Sequence, residues 1–342
     1  MDDNVFEEEV EAFLESFLTQ EDDPAEDFKD GSLMLLAAAQ DGRTVIVRAL
    51  LRGSKINVKG RDLSGDTALH HAVRHGFVEI AMLLLRQIGT GVNIANQDGE
   101  TALTIATRGR DESMVRLLLR STKLNPNLEF RKQVDSKTVQ GPALHIAIAN
   151  KSDSIVELFI RHAANLDLNY RNAQGRTPLH YAVLNGNPRI CEMLLQQPSV
   201  QLNSVTEPEK QSLLSLAIIN DMPKLSHQLI ARREVDVNQQ DHRGHGPLHH
   251  SAWCNQPATM ARLLDRESLD VNAKDLCGRT VLHIAAGFGN AKLVKQLIAN
   301  SRTNVECKNN YGETPFLAAR SANYKDVAGI LERHYIQTML GM

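Results

Sequence analysis

Aromatic residues make up only 4% of this 342-residue chain, with a single tryptophan. A core built from large rings is therefore excluded, and apolar surface must be closed with aliphatic and small side chains. Cysteine is equally scarce: Cys191, Cys254, Cys277 and Cys307 are scattered without a C-x-x-C pair, so neither a disulfide framework nor the ligand spacing of a zinc module is present. No run approaches the roughly 18 apolar residues of a membrane helix, and the opening residues lack the basic-then-apolar pattern of a secretory signal. The expectation is a cytosolic or nuclear protein with no membrane association. Catalytic signatures are missing as well. There is no G-x-S-x-G elbow and no H-E-x-x-H, and Gly287-Phe288-Gly289 lacks the Lys and Ser/Thr of a phosphate loop. Beyond residue 30 the carboxylates are scattered rather than paired. No enzyme activity, cofactor or metal is expected. No Pro/Gly/Ser-rich linker divides the chain either, which favours one continuous body over two globular domains.

What the sequence does have is a period. A hydrophobic residue followed three positions later by Ala or an equally small residue recurs at Met34, Leu69, Leu103, Leu144, Leu179, Leu214, Leu248, Leu282 and Phe316, in steps of 34 or 35 residues broken once by a step of 41. Such periods mean stacked supersecondary units. Within a unit, Thr67-Ala68-Leu69-His70, Thr177-Pro178-Leu179-His180 or Thr280-Val281-Leu282-His283 opens a short helix with a Thr able to cap exposed N–H groups. Seven positions after the anchor stands a turn residue, Gly76, Gly186, Gly289, Asn255, Asn323 or Asp221, of types that tolerate a left-handed backbone. A second helix follows, with apolar residues at helical spacing such as Val78, Ala81, Leu84 and Leu85. It runs into a polar link, for example Asp270 to Gly278, that reads as a β-turn finger.

The sequence resembles the ankyrin-repeat family: Thr177-Pro178-Leu179-His180-Tyr181-Ala182 stands near its T-P-L-H-x-A core, and Asp62-Leu63-Ser64-Gly65 and Asp275-Leu276-Cys277-Gly278 near its D-x-x-G finger. The resemblance implies an all-α solenoid of about nine helix-turn-helix repeats over residues 31–342, with atypical end repeats. The sixth repeat, Ser212 to Ala217, departs by losing both Pro and His. His242, His245, His249 and His250 are close in sequence, but His249 falls at the repeat position shared with His70, His145, His180 and His283, where the expected job is steadying the finger. In some members of the family an Asn at the end of the second helix is hydroxylated; Asn93, Asn169, Asn238 and Asn272 match that position, where stabilising the finger is the alternative role.

Charge is unevenly placed. Residues 1–30 hold thirteen acidic side chains and one basic one, Lys29, a charge of about −12, which leaves 37 basic against 28 acidic groups, about +9, on the remainder. In that arm Phe6, Val10, Phe13, Leu14, Phe17 and Leu18 share one helical stripe that ends before Asp22-Asp23-Pro24. Two readings follow, an N-terminal capping helix over the first repeat, or a segment that binds a partner or masks the chain's own surface. The 41-residue step places an insertion near 127–140, a longer finger or a partner contact.

The expected function is a monomeric protein-interaction module, an adaptor or regulatory inhibitor, gripping a protein on its concave face and fingers. The alternative is nucleic-acid binding through the basic solenoid, which the interspersed charges and missing aromatic platforms argue against. Five residues after each anchor comes a row that changes from basic to apolar: Arg74, Arg108, Ala149, Leu184, Ile219, Trp253, Gly287 and Ser321. Arg and Trp are the types that dominate binding energy, so Arg74, Arg108 and Trp253 are the first candidates, with Leu184 and Ile219 between them. Replacing Arg74 is expected to leave folding nearly unchanged. Finger residues Arg61, Asp62, Gln97, Asp98, Arg171, Gln240, His242, Arg243 and Asn310 form a second set.

Overall fold

The computed structural model describes residues 31–52, 56–87, 89–130, 141–163 and 165–340, the side chain of residue 340 excepted. The acidic arm and most of the insertion, 131–140, lie outside the described residues. Contacts divide the chain into two compact units, 1–173 and 174–342. Among the described residues there are eighteen helices in nine pairs and no sheet. The first unit holds α1 (Ser32–Gln40), α2 (Thr44–Arg52), α3 (Ala68–Arg74), α4 (Val78–Arg86), α5 (Ala102–Arg108), α6 (Glu112–Leu119), α7 (Ala143–Ala149) and α8 (Asp153–His162). The second holds α9 (Pro178–Leu184), α10 (Pro188–Leu195), α11 (Leu213–Ile219), α12 (Pro223–Ala231), α13 (Pro247–Trp253), α14 (Pro257–Leu264), α15 (Val281–Gly287), α16 (Ala291–Ile298), α17 (Pro315–Ser321) and α18 (Lys325–Leu340). Within each unit successive first helices pack side by side, as α3 does on α1 and α11 on α9, and second helices form a parallel layer, as α4 on α2 and α14 on α12.

The small residues explain why seven-residue helices suffice. In α3, Ala68, Leu69, His70, His71, Ala72 and Val73 are all buried and only Arg74 is exposed, so neighbours close on both sides of each first helix. The turn to the second helix is left-handed in every repeat, at Gly42, Gly76, Arg110, Lys151, Gly186, Asp221, Asn255, Gly289 and Asn323, with φ between 50° and 73°. Arg110 and Lys151 escaped the sequence reading because neither is a turn-forming type. Their strain is tolerated because the packed helices on either side dictate the turn. Gly42 also corrects the first anchor. Counting seven back from it gives Leu35, with Ala38 as its partner; these two are buried, whereas Met34 is half-buried and Ala37 exposed. The first step is thus 34 residues, and the period is more regular than the sequence reading has it.

Polar ties bind each repeat to the next. The finger Asp62 accepts from the N–H groups of Ser64 and Asp66, and Gly65 donates back to Asp62 at 2.9 Å, closing a tight turn. Fingers then pair by backbone, Gln97 N–H to Ser64 C=O at 2.9 Å, Leu276 to Arg243 at 3.1 Å and Asn310 to Cys277 at 3.0 Å. Gly244 is required twice over, since its φ is 79° and a Cβ there would sit 2.9 Å from the Leu276 nitrogen that makes this bond.

The Asn that the sequence suggests at the end of the second helix lies in the link, seven or eight residues past that end, and supplies a further tie. Asn93 donates to the Lys123 carbonyl at 2.7 Å and accepts from Asn125 N–H at 2.8 Å. Asn127, Asn203, Asn238 and Asn272 repeat the arrangement one repeat along. In the second unit Arg302 donates to the carbonyls of Leu264, Arg266, Glu267 and Leu269, and Arg266 to those of Ile230, Arg232 and Val235. Each guanidinium satisfies the orphan carbonyls at the end of the preceding second helix. The sixth repeat, despite its lost His, is capped by Ser212, which accepts from Ser215 N–H at 3.1 Å.

Two stability predictions follow from this frame. Leu179→Ala, removing a side chain 1% exposed, is expected to cost about 2–5 kcal/mol. Arg110→Gly and Lys151→Gly are each expected to stabilise by roughly 0.5–1 kcal/mol by relieving the left-handed turn. Urea unfolding midpoints of the three variants check both signs.

Candidate partner-binding surface

The side chains that the repeat leaves free stand at the ends of the first helices and on the fingers, and the two units differ there. In the first unit the row is basic but internally paired. Arg74 Nη1 donates to Asp66 Oδ2 at 2.5 Å and Nη2 to Oδ1 at 3.2 Å, with Glu100 4.0 Å away. Arg108 pairs with Glu100 and lies 4.6 Å over the ring of Phe130. Asn96 adds a hydrogen bond to Asp66 at 2.8 Å. An ion ladder therefore runs across the second and third repeats, and through the Arg108–Phe130 contact it reaches the base of the insertion, where buried Phe130 donates its N–H to the Gly141 carbonyl at 3.2 Å.

This corrects the expectation for Arg74. Asp66 is only 4% exposed; burial pushes its carboxyl up, and the hydrogen bonds from Arg74 and Asn96 outweigh that and hold it below the usual carboxylate value. The hydrogen bond to Asp66 holds the Arg74 guanidinium above its ordinary value. Arg74→Ala strands a buried carboxylate and is expected to cost roughly 1–3 kcal/mol of stability. Asp62, Asp66 and His71 place ligand atoms within 4.8 Å of one another, the geometry of a cation site. Its positive charge is already supplied by Arg74, and His71 Nε2 is 2.8 Å from Asp62 Oδ2.

In the second unit the same row is apolar. Leu184 is 36% and Ile219 39% exposed, at the ends of α9 and α11, which pack together, and Trp253 follows on α13. Trp253 is half-buried and makes ring contacts within its own repeat. The His245 ring meets it edge-on at 4.1 Å and His250 lies 5.6 Å away. Cys254 beside it is exposed. Beyond Trp253, Gly287 opens a gap that a Cβ would fill without contact, and the next residue, Phe288, is 61% exposed. The sequence reading missed Phe288 because it lies one position off the row; the available signal is the aromatic set directly after a glycine. It also missed the exposed apolar finger tips Leu63, Leu276 and Tyr311. Of the finger candidates, Arg61, Arg171, His242 and Arg243 are exposed. His242 sits 3.0 Å from the Glu209 carbonyl, and Arg243 Nε donates to His242 Nε2 at 3.3 Å. Row and finger candidates are thus distributed over both units, with the exposed large apolar members of the row, Leu184 and Ile219, in the second.

The histidines have structural jobs. His70 Nδ1 accepts from Thr67 N–H at 3.1 Å, which fixes the Nε2–H tautomer, and Nε2–H donates to the Glu100 carbonyl of the next finger at 3.1 Å. His283 does the same with Thr280 and Glu313, and His249 with Gly246 and Arg279. A neutral ring is required. Burial lowers the proton affinity of His70, His249 and His283, and it lowers that of His245 despite the carboxylates of Asp241 and Asp275. Burial, opposed by Asp241 3.4 Å away and reinforced by His245 and His249, takes His250 from 6.5 down to about 4. Because these rings bind protons less well folded than unfolded, their contribution to stability is complete above pH 6.5 and is lost as pH falls towards 4. The melting temperature is expected to drop across that window. His250→Gln should flatten the slope, which thermal unfolding from pH 7 to 4 measures.

Comparison with known proteins agrees with this geometry. A family model described as ankyrin repeats (3 copies) matches residues 7–96, 35–130, 124–206 and 256–339, more than half of the chain. A 126-residue segment is 32% identical to the SMC5-SMC6 complex localization factor protein 1 of Bos taurus, covering 37% of this chain and 11% of that protein. The Homo sapiens protein of the same name is 34% identical over 125 residues, 36% of this chain and 11% of that protein. A third segment of 64 residues is 41% identical to alpha-latroinsectotoxin-Lt1a of Latrodectus tredecimguttatus, covering 19% of this chain and 4% of the toxin. The chain therefore spans about a tenth or less of the length of these curated relatives. Among solved structures, the ankyrin repeat domain of Bcl-3 aligns with a TM-score of 0.46 at 26% identity, over 77% of this chain and 98% of that domain. Such repeats are protein-interaction modules and typically not enzymes, and among the described residues no helix is long and apolar enough to cross a membrane. The chain belongs to the ankyrin-repeat family.

Proposed function

We propose that the chain is an adaptor or regulatory inhibitor that grips a protein partner through the apolar row of its second unit. The observation that carries this reading is the exposure of Leu184 and Ile219 beside the half-buried Trp253, at the template position that Arg74 and Arg108 hold in the first unit with paired charges, with exposed Phe288 one position off the same row. Apolar side chains presented on packed helices bind with little loss of scaffold entropy, and a tryptophan flanked by aliphatic groups has the composition of a binding hot spot. Finger residues His242 and Arg243 and the tip Leu276 flank the row as a polar and apolar rim, while Arg61 and Arg171 belong to the first unit's fingers. With the Arg74 and Arg108 guanidinium groups committed to Asp66 and Glu100, a basic nucleic-acid face loses its two central cations. One relative is by name a localization factor for a multiprotein complex. Recruiting one protein to another by this stack, in the nucleus or cytosol, is the role that fits a chain whose output comes from binding.

The test compares affinity capture from native lysate by the full chain, by a Leu184→Asp/Ile219→Asp/Trp253→Ala variant, and by an Arg61→Ala/Arg171→Ala variant. A protein recovered by the wild type and lost at least tenfold, more than 1.4 kcal/mol, only in the first variant supports the reading. Equal recovery by all three, with unchanged melting curves, overturns it.

A further inference from the structure

We propose that the acidic arm, residues 1–30, docks on its own chain, in a cationic groove between the second and third repeats. The groove has a volume of about 970 Å3 and lies between the C-terminal ends of α4 and α6. Five cations line it, Lys59, Arg61, Arg86, Arg120 and Lys123, all exposed, and its lining contains no carboxylate. Arg48, Arg74 and Arg108 of the same unit are by contrast paired with carboxylates. The floor is apolar, with Met82, Leu85 and Leu117 among the lining residues, Met82 38% exposed.

The arm has the complementary chemistry. It carries about −12, and its stripe of Phe6, Val10, Phe13, Leu14, Phe17 and Leu18 is spaced for one helical face. An amphipathic helix laid in a groove uses both features together, whereas a helix that merely capped the first repeat would use the apolar stripe and leave thirteen carboxylates without partners. The attachment point also favours the groove. Ser32, the first residue of α1, packs on the backbone of Gly60, where a Cβ would meet the Ser32 Cβ at 2.5 Å. Gly60 stands between Lys59 and Arg61, two of the five cations, so the described chain begins at the rim. A helix over residues 1–18 is about 27 Å long, and the twelve residues after it reach at most about 40 Å. The helix can therefore lie along the groove without a strained link. Tethering makes the encounter intramolecular, at an effective concentration in the millimolar range, so weak contacts suffice to fill it.

The experiment uses the full chain with a benzophenone amino acid in place of Phe13. On irradiation, crosslinks within one chain to Met82, Leu85 or Leu117, mapped by mass spectrometry, are expected. They should fall at least tenfold in an Arg86→Glu/Arg120→Glu variant and in about 0.5 M salt, where exposed charges are screened. Adding Glu8→Lys, Glu11→Lys and Glu15→Lys to that variant should restore them. Thermal unfolding of each variant confirms that the fold persists. Crosslinks to α1 or α2, crosslinks only between two chains, or crosslinks within one chain that ignore both charge reversal and salt overturn the proposal.

Discussion

Everything in this protein depends on the coupling between one repeat and the next. A pair of helices of seven to ten residues, as in every repeat but the last, is too short to be stable alone, and no repeat can bury both sides of its first helix without a neighbour. Burial provides much of that coupling but little of its direction, since Leu and Ala packing is non-directional. Direction comes from hydrogen bonds that cross the boundary: finger backbone to finger backbone, the histidine Nε2–H to the next finger's carbonyl, and the asparagine amide that both donates to and accepts from the next link. Each spans about 30 residues of sequence, close to one period, so the polar ties and the hydrophobic anchors enforce the same register.

How much of this the sequence discloses follows from what a period can carry. The anchor Leu and its Ala partner are legible because burial restricts residue type, and the left-handed turn is legible wherever Gly, Asn or Asp fills it. Arg110 and Lys151 are not, because there the packed flanks impose the backbone and the side chain merely tolerates it. The register of the first repeat slips by one in the sequence because Met34, Leu35 and Leu36 are all apolar and Ala37, Ala38 and Ala39 all small; only the position of Gly42 decides among them. The asparagine ties are visible as residue type and invisible as function, since an exposed Asn in a link has no single meaning until its partner is in place.

The charged positions illustrate a different limit. Arg74 and Arg108 occupy the row that the template leaves free, and sequence alone presents them as open hands. Their partners, Asp66 and Glu100, hold the same position in the second and third repeats, and it is the stacking that brings Glu100 to both arginines at once. In the second unit the position equivalent to Asp66 is His245 and that of Arg74 is Trp253, so an ion pair is replaced by an aromatic contact at the same place in the fold. The repeat conserves the geometry of that contact while exchanging its chemistry.

That exchange is where function separates from architecture in a repeat protein. A side chain present at equivalent positions in several repeats, such as the His of the first helix or the Asn of the link, is explained by the boundary it closes. A side chain that departs from its equivalents is not explained in that way, and Leu184, Ile219 and Phe288 are of this kind: they expose apolar surface to water at a cost in solubility. The cations of the groove between α4 and α6 depart in the same sense, gathered on one side with no carboxylate in the groove's lining. Departures of opposite character, one apolar and one cationic, therefore lie on different units. A surface left incomplete by its own fold is completed by a ligand, and the two kinds of incompleteness call for two different occupants.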